Sequence, residues 1–132
     1  MRKDWRDAAL SGDCACLDAV LADGGDVDAK DKFGQTALML AAMHGQAGIV
    51  EILLGANADL DVTAKYGLSA TMLAVINHHD AIAWDLAKAG ADLTLRGTGA
   101  AGFFDKSAAD LALENDQPAL AEFLQHAETG GA

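Results

Sequence analysis

Three groups of residues have the types and spacing from which chemistry can be built. Gly97-Thr98-Gly99-Ala100-Ala101-Gly102 is a literal G-x-G-x-x-G, the pattern that lets a backbone close on a dinucleotide pyrophosphate. That chemistry needs a strand ahead of the glycines, a helix opening on them, and an acid about 20 residues further on. Nothing after Gly102 reads as a buried strand, so a tight or flexible loop is expected. A small-ligand or nucleotide site in Gly97–Gly102 stands as the alternative from another class. His44, His78, His79 and Asp80 are metal-ligating types, with His44 and His78 at the ends of successive helices. No third ligand is fixed by spacing, so these are expected as helix-end or turn residues without a metal. Cys14 and Cys16, two apart on a helix, point in different directions and read as reduced thiols. Ser69 and Ser107 stand at helix starts and read as caps. With no nucleophile motif and no cofactor signature, the chain reads as no enzyme.

The elements that must position these residues repeat. Gly34-Gln35-Thr36-Ala37-Leu38-Met39-Leu40-Ala41-Ala42 returns as Gly67-Leu68-Ser69-Ala70-Thr71-Met72-Leu73-Ala74-Val75, a step of 33 residues. The same step links Gly24-Gly25-Asp26-Val27, Asn57-Ala58-Asp59-Leu60 and Gly90-Ala91-Asp92-Leu93. Thr36 offers an N-cap hydroxyl. Leu38, Ala41 and Ala42 then share one helical face, and Gly45 ends the helix in the left-handed conformation. Ile49, Ile52 and Leu53 supply the buried stripe of a second helix. Four units result, at about 4–29, 30–62, 63–95 and 96–127, with a tail at 128–132. The first lacks the segment before its helices, as a terminal unit of a stack does. Thr36 and Ser107 are 71 residues apart, twice 33 plus five, so the connection at 96–106 is enlarged. Ser107 and Asp110 form a capping-box pair, and Pro118 falls in the first turn of the last helix. His78 occupies a slot where the pattern has Gly, a left-handed position costing about 1 kcal/mol for other residues.

On these residues the chain resembles the ankyrin-repeat family, from about Asp4 to about Ala127. The resemblance implies an all-α solenoid: a single domain of stacked helix-turn-helix units with short β-hairpin fingers, two complete units lying between two caps. Two features depart from the family pattern. Its Pro is Ala37, Ala70 and Ala108 here, and its His is Met39, Met72 and Asp110. Bonding between loops through that His is therefore not expected.

Composition bounds the partners. Half of the 132 residues are apolar, many of them Ala, which suits short helices in close contact. A net charge of −11 argues against nucleic acid and against an anionic membrane surface. No apolar segment follows Met1-Arg2-Lys3-Asp4-Trp5-Arg6, and the run Ala37 to Met43 is too short to span a bilayer. A cytoplasmic location is expected.

Function is sought where the few aromatics fall. Phe33 and Tyr66 occupy equivalent finger positions, and Phe103 and Phe104 sit in the enlarged finger. By the resemblance, finger tips and inner helices form a concave partner-binding face. Its residues would be Lys32, Phe33, Gln35, Met43 and His44, then Lys65, Tyr66, Leu68, Ile76 and Asn77, with Phe103 and Phe104 beside them. The rings either anchor a partner or pack finger on finger. Lys32 and Lys65 would face acidic groups on the partner. Trp84 aligns with Asp18, Glu51 and Glu122, and Asp85 with Ile52 and Phe123. A rotated helix burying Trp84 is the favoured reading, and a second exposed contact is the other. The expected function is a monomeric, non-enzymatic module for protein–protein interaction. A small acidic inhibitor or immunity-type protein for one cognate enzyme is its alternative.

Overall fold

Each unit gathers its apolar residues onto two short helices joined by a tight turn. The structure is a computed structural model and describes residues 3–98 and 102–128. The helix pairs are α1 (Lys3–Ser11) with α2 (Cys14–Ala22), α3 (Ala37–His44) with α4 (Ala47–Gly55), α5 (Ala70–Ile76) with α6 (Asp80–Lys88), and α7 (Ala108–Glu114) with α8 (Pro118–Glu128). The expected caps form. The hydroxyls of Thr36 and Ser69 each accept an N–H, from Met39 and Met72, at 3.3 Å. Ser107 and Asp110 complete the reciprocal box, and α8 opens on Pro118. The turn between the helices is left-handed in every unit: Gly12 and Gly45 at φ 81° and 73°, His78 and Asp116 at 61° and 59°. The last two units thus keep the geometry without the residue that adopts it freely, at about 1 kcal/mol each.

The first helices stack α1 on α3 on α5 on α7 and touch one another more extensively than the second helices do. Small residues make this possible: Ala37, Ala41, Ala42, Ala70, Ala74 and Ala112 are all buried at these contacts. One contiguous core runs from Trp5 to Leu124. Leu113 holds the position of Ala42 and Val75. Those two are buried, whereas Leu113 in the fourth unit is exposed.

Polar side chains staple one unit to the next. In the turns after α2, α4 and α6, Asp26, Asp59 and Asp92 accept the N–H two residues on, a local Asx turn. Asp28 and Asp61 reach across to the next unit, accepting the N–H groups of Asp59 and Asp92 at 2.8 and 2.7 Å. The Thr94 hydroxyl at 2.6 Å, with the Thr94 N–H, holds the Asp92 carboxyl below its usual range. Gln46 donates to the Leu10 carbonyl, Asn115 to those of Val75 and Ile76, and Gln117 to Asp80. Part of the chain's acidity is therefore structural.

Two expectations change. The fingers are tight turns rather than hairpins, with only isolated bridges, Lys30 with Thr36 and Gly97 with Phe104, among the described residues. Single turns bury too little to zip a strand pair. Nor is α6 rotated: it buries Ile82, Ala83 and Leu86, in register with Ile49, Val50 and Leu53 of α4. Trp84 is 37% exposed and stacks on Phe123 of α8, ring centroids 3.8 Å apart and planes 4° apart. The neighbouring ring covers one face of the indole while the apolar stripe keeps its register. Trp84→Ala is accordingly expected to cost about 1 kcal/mol, not the 3–5 of a core tryptophan. A thermal melt should fall by about 4 °C, and a drop three times as large would mean that the ring is core.

Candidate functional site

The first finger, Asp31 to Gln35, is built on a carboxylate. Asp31 accepts the N–H groups of Phe33 and Gln35, both at 2.9 Å, and Nε of Arg6 at 3.3 Å. Burial alone would raise its pKa, but those backbone bonds and Arg6 outweigh it and hold the carboxyl below its usual value. Two backbone bonds close the turn, Gly34 N–H to Asp31 O and Asp31 N–H to Gln35 O. The finger so fixed turns Phe33 outward, 59% exposed, with Lys32 Nζ 5.2 Å from its ring centroid.

The second finger repeats the two backbone bonds, at Gly67 to Ala64 and Ala64 to Leu68. Its carboxylate is missing, because Ala64 stands where Asp31 stands one unit earlier. The finger is held from the other side instead. Tyr66 adopts φ 64°, its carbonyl accepts the Thr98 N–H at 2.6 Å, and Phe103 packs on its ring with centroids 5.8 Å apart. The enlarged finger thus braces the one before it. Gly97 has no room for a side chain, since a Cβ would lie 2.1 Å from the Phe103 carbonyl oxygen. Close backbone approach accounts for this glycine. Gly99, Ala100 and Ala101 of the glycine motif lie outside the described residues.

The left-handed tyrosine is strained by about 1 kcal/mol. Tyr66→Gly and Tyr66→Ala both remove the ring, but only glycine releases the strain. The glycine variant is expected to be about 1 kcal/mol more stable than the alanine variant in denaturant unfolding. Equal midpoints would show no strain at this residue.

Between the two fingers opens a groove of about 520 Å³, walled by Lys32, Phe33 and Gln35 on one side and Ala64, Lys65 and Tyr66 on the other. Leu68 and Leu73 form its floor. Tyr66 is 37% exposed, and Lys65 Nζ lies 4.9 Å from its ring centroid. Across Phe33 lies a second depression of about 440 Å³, lined by Lys3, Arg6, Asp31 and Lys32.

The residues singled out from sequence divide. Lys32, Phe33, Gln35, Lys65 and Tyr66 converge on the groove, and Leu68 is buried in its floor. Phe103 is half-buried against Tyr66, whereas Phe104 is 68% exposed. Met43 and Ile76 are half-buried against the core; His44 and Asn77 are exposed, and the Asn77 amide donates to Leu73 O. The rings therefore differ: Phe103 packs finger on finger, one of the two arrangements expected, whereas Phe33 and Phe104 face solvent. Sequence reasoning missed Asp31, Arg6, Lys3 and Leu73. For Asp31 a signal existed, since Asp three residues before Gly marks an Asx-type turn. Lys3 and Arg6 are brought in by the unit before the first finger, and Leu73 by α5 behind the second.

The histidines do not assemble. His79 packs over Gly45, where an added Cβ would meet its ring at 2.6 Å. Among the described residues no group of three or more His, Cys, Asp or Glu is placed to hold a metal. No helix among them is long and apolar enough to cross a membrane.

A family model described as ankyrin repeats, in three copies, matches residues 6–97. No curated protein matches the chain.

Proposed function

We propose that this chain, which belongs to the ankyrin-repeat family, is a non-enzymatic module that binds a protein partner through its finger tips and the groove between them. Repeats of this family are generally protein–protein interaction modules. The observation that carries the reading is the run of exposed rings Phe33, Tyr66 and Phe104 on successive fingers, two of them walling an apolar-floored groove. Turns already closed by hydrogen bonds need little backbone ordering on binding, so burial of the rings they carry converts more fully into affinity. Aromatic anchors in such settings dominate binding energy. Lys32, Phe33, Gln35, Lys65, Tyr66 and Phe104 would make the contact, with Met43, His44, Ile76 and Asn77 beside it. Leu68 would floor the groove and Phe103 would hold Tyr66 in place.

The test is affinity capture with the wild-type chain beside a Phe33→Ala, Tyr66→Ala, Phe104→Ala variant whose circular dichroism and melt show it folded. A protein retained by the first and lost by the second supports the site. Equal retention moves the contact away from the fingers.

A further inference from the structure

The distribution of charge says what kind of segment the groove accepts. The chain has nine Lys and Arg against twenty Asp and Glu, yet the two depressions flanking Phe33 reverse that balance. They are lined by four basic residues, Lys3, Arg6, Lys32 and Lys65, and by one acid, Asp31. Asp31 is already committed to Arg6 and to the finger backbone. Among the described residues no carboxylate lies within ion-pair distance of Lys3, Lys32 or Lys65. All three are exposed. Lys32 and Lys65 lie against the rings of Phe33 and Tyr66, so cation and aromatic face are offered together. The other acids do not line these depressions; Asp4 and Asp7 lie on the exposed side of α1, and many of the rest stand in the turns after the second helices or at exposed second-helix positions such as Asp18, Glu51 and Asp85.

We infer that the groove binds an acidic linear segment of a partner protein, one large apolar side chain seated between Phe33 and Tyr66 and flanking carboxylates paired with Lys3, Lys32 and Lys65. This rests on the finger groove being the binding site. It goes further in fixing the sign of the partner's charge, which is opposite to what the chain's net charge suggests. A long polyanion is disfavoured, because it would run beyond the three lysines of the groove into a chain whose net charge of −11 repels it. A short segment carrying two or three carboxylates meets the cations without entering that field.

The experiment selects displayed random peptides of about twelve residues, long enough when extended to cross three fingers. The expected winners carry Asp or Glu around a Phe, Leu, Ile, Trp or Tyr. Their affinity should fall about ten- to fiftyfold for Lys3→Glu, Lys32→Glu, Lys65→Glu together, and be restored when the peptide's acids are changed to Lys. Association should slow with salt. Neutral or basic winners that still need Phe33 and Tyr66 would overturn the charge inference and leave the groove standing. Winners indifferent to Phe33→Ala with Tyr66→Ala would overturn the groove itself. Recovery of no peptide, or tighter binding of a single-stranded oligonucleotide than of any peptide, would equally overturn the inference.

Discussion

Replacing Phe33 and Tyr66 together by Ala is expected to weaken partner binding several hundredfold while leaving the fold in place. Truncating a central aromatic anchor costs roughly 2 kcal/mol or more, and two adjacent anchors do not add fully. About 3.5 kcal/mol for the pair corresponds to several hundredfold. The structural cost is smaller because neither ring is core. Phe33 is largely exposed and has one cation–π contact, with Lys32, worth about 0.5 kcal/mol. Tyr66 loses its contact with Phe103, about 1 kcal/mol. The melt should therefore fall by about 6 °C. Titration against the captured partner, with a melt of the same sample, separates the two effects. Lost binding together with a collapse of the melt would make the rings structural, and unchanged binding would remove them from the interface.

Asp31→Ala is the substitution expected to damage the first finger most. The carboxylate accepts two backbone N–H groups and the Arg6 guanidinium, and its side chain is 5% exposed. Hydrogen bonds to an ionised acceptor are worth about 1.5–3 kcal/mol each when buried. Here the surroundings stay open to solvent, which screens the Arg6 pair, so a net loss of about 2 kcal/mol is expected. Binding should fall too, since Phe33 is aimed by the turn that Asp31 closes. The same group sets an acid sensitivity. Its folded pKa lies below the 3.8 of the free carboxyl, so the folded state binds the proton less readily than the unfolded chain does. The contribution is complete above about pH 4 and is lost as pH falls through the folded value. Asp92, lowered in the same direction, adds to this trend. Wild type and Asp31→Ala should differ most in urea midpoint near pH 6 and converge toward pH 2. A constant gap would mean that the ionised carboxylate is not what stabilises the finger.

The helices and their ends were legible in the sequence because their causes are local. A hydroxyl at Thr36, Ser69 or Ser107 and an apolar stripe such as Ile49, Ile52 and Leu53 act within four residues of themselves, though Val50 rather than Ile52 is the fully buried member. The 33-residue step, lengthened by five in the last finger, then copies one solution down the chain, and the left-handed turns at His78 and Asp116 keep it. Ring positions on the fingers followed from the same step. Which ring faces solvent did not, because exposure belongs to neighbours in space. Phe103 is covered by Tyr66, two fingers meet through the Thr98 bond to the Tyr66 carbonyl, and Trp84 lies on Phe123 rather than in the core. Charge was legible only as a total. Folding committed Asp28 and Asp61 to staples between units and set Lys3 and Arg6 of the first helix beside Lys32 of the first finger. Local rules along the chain suffice for the repeat, its helices and the places where fingers stand. What those fingers present comes from stacking, which brings together side chains that no local rule relates.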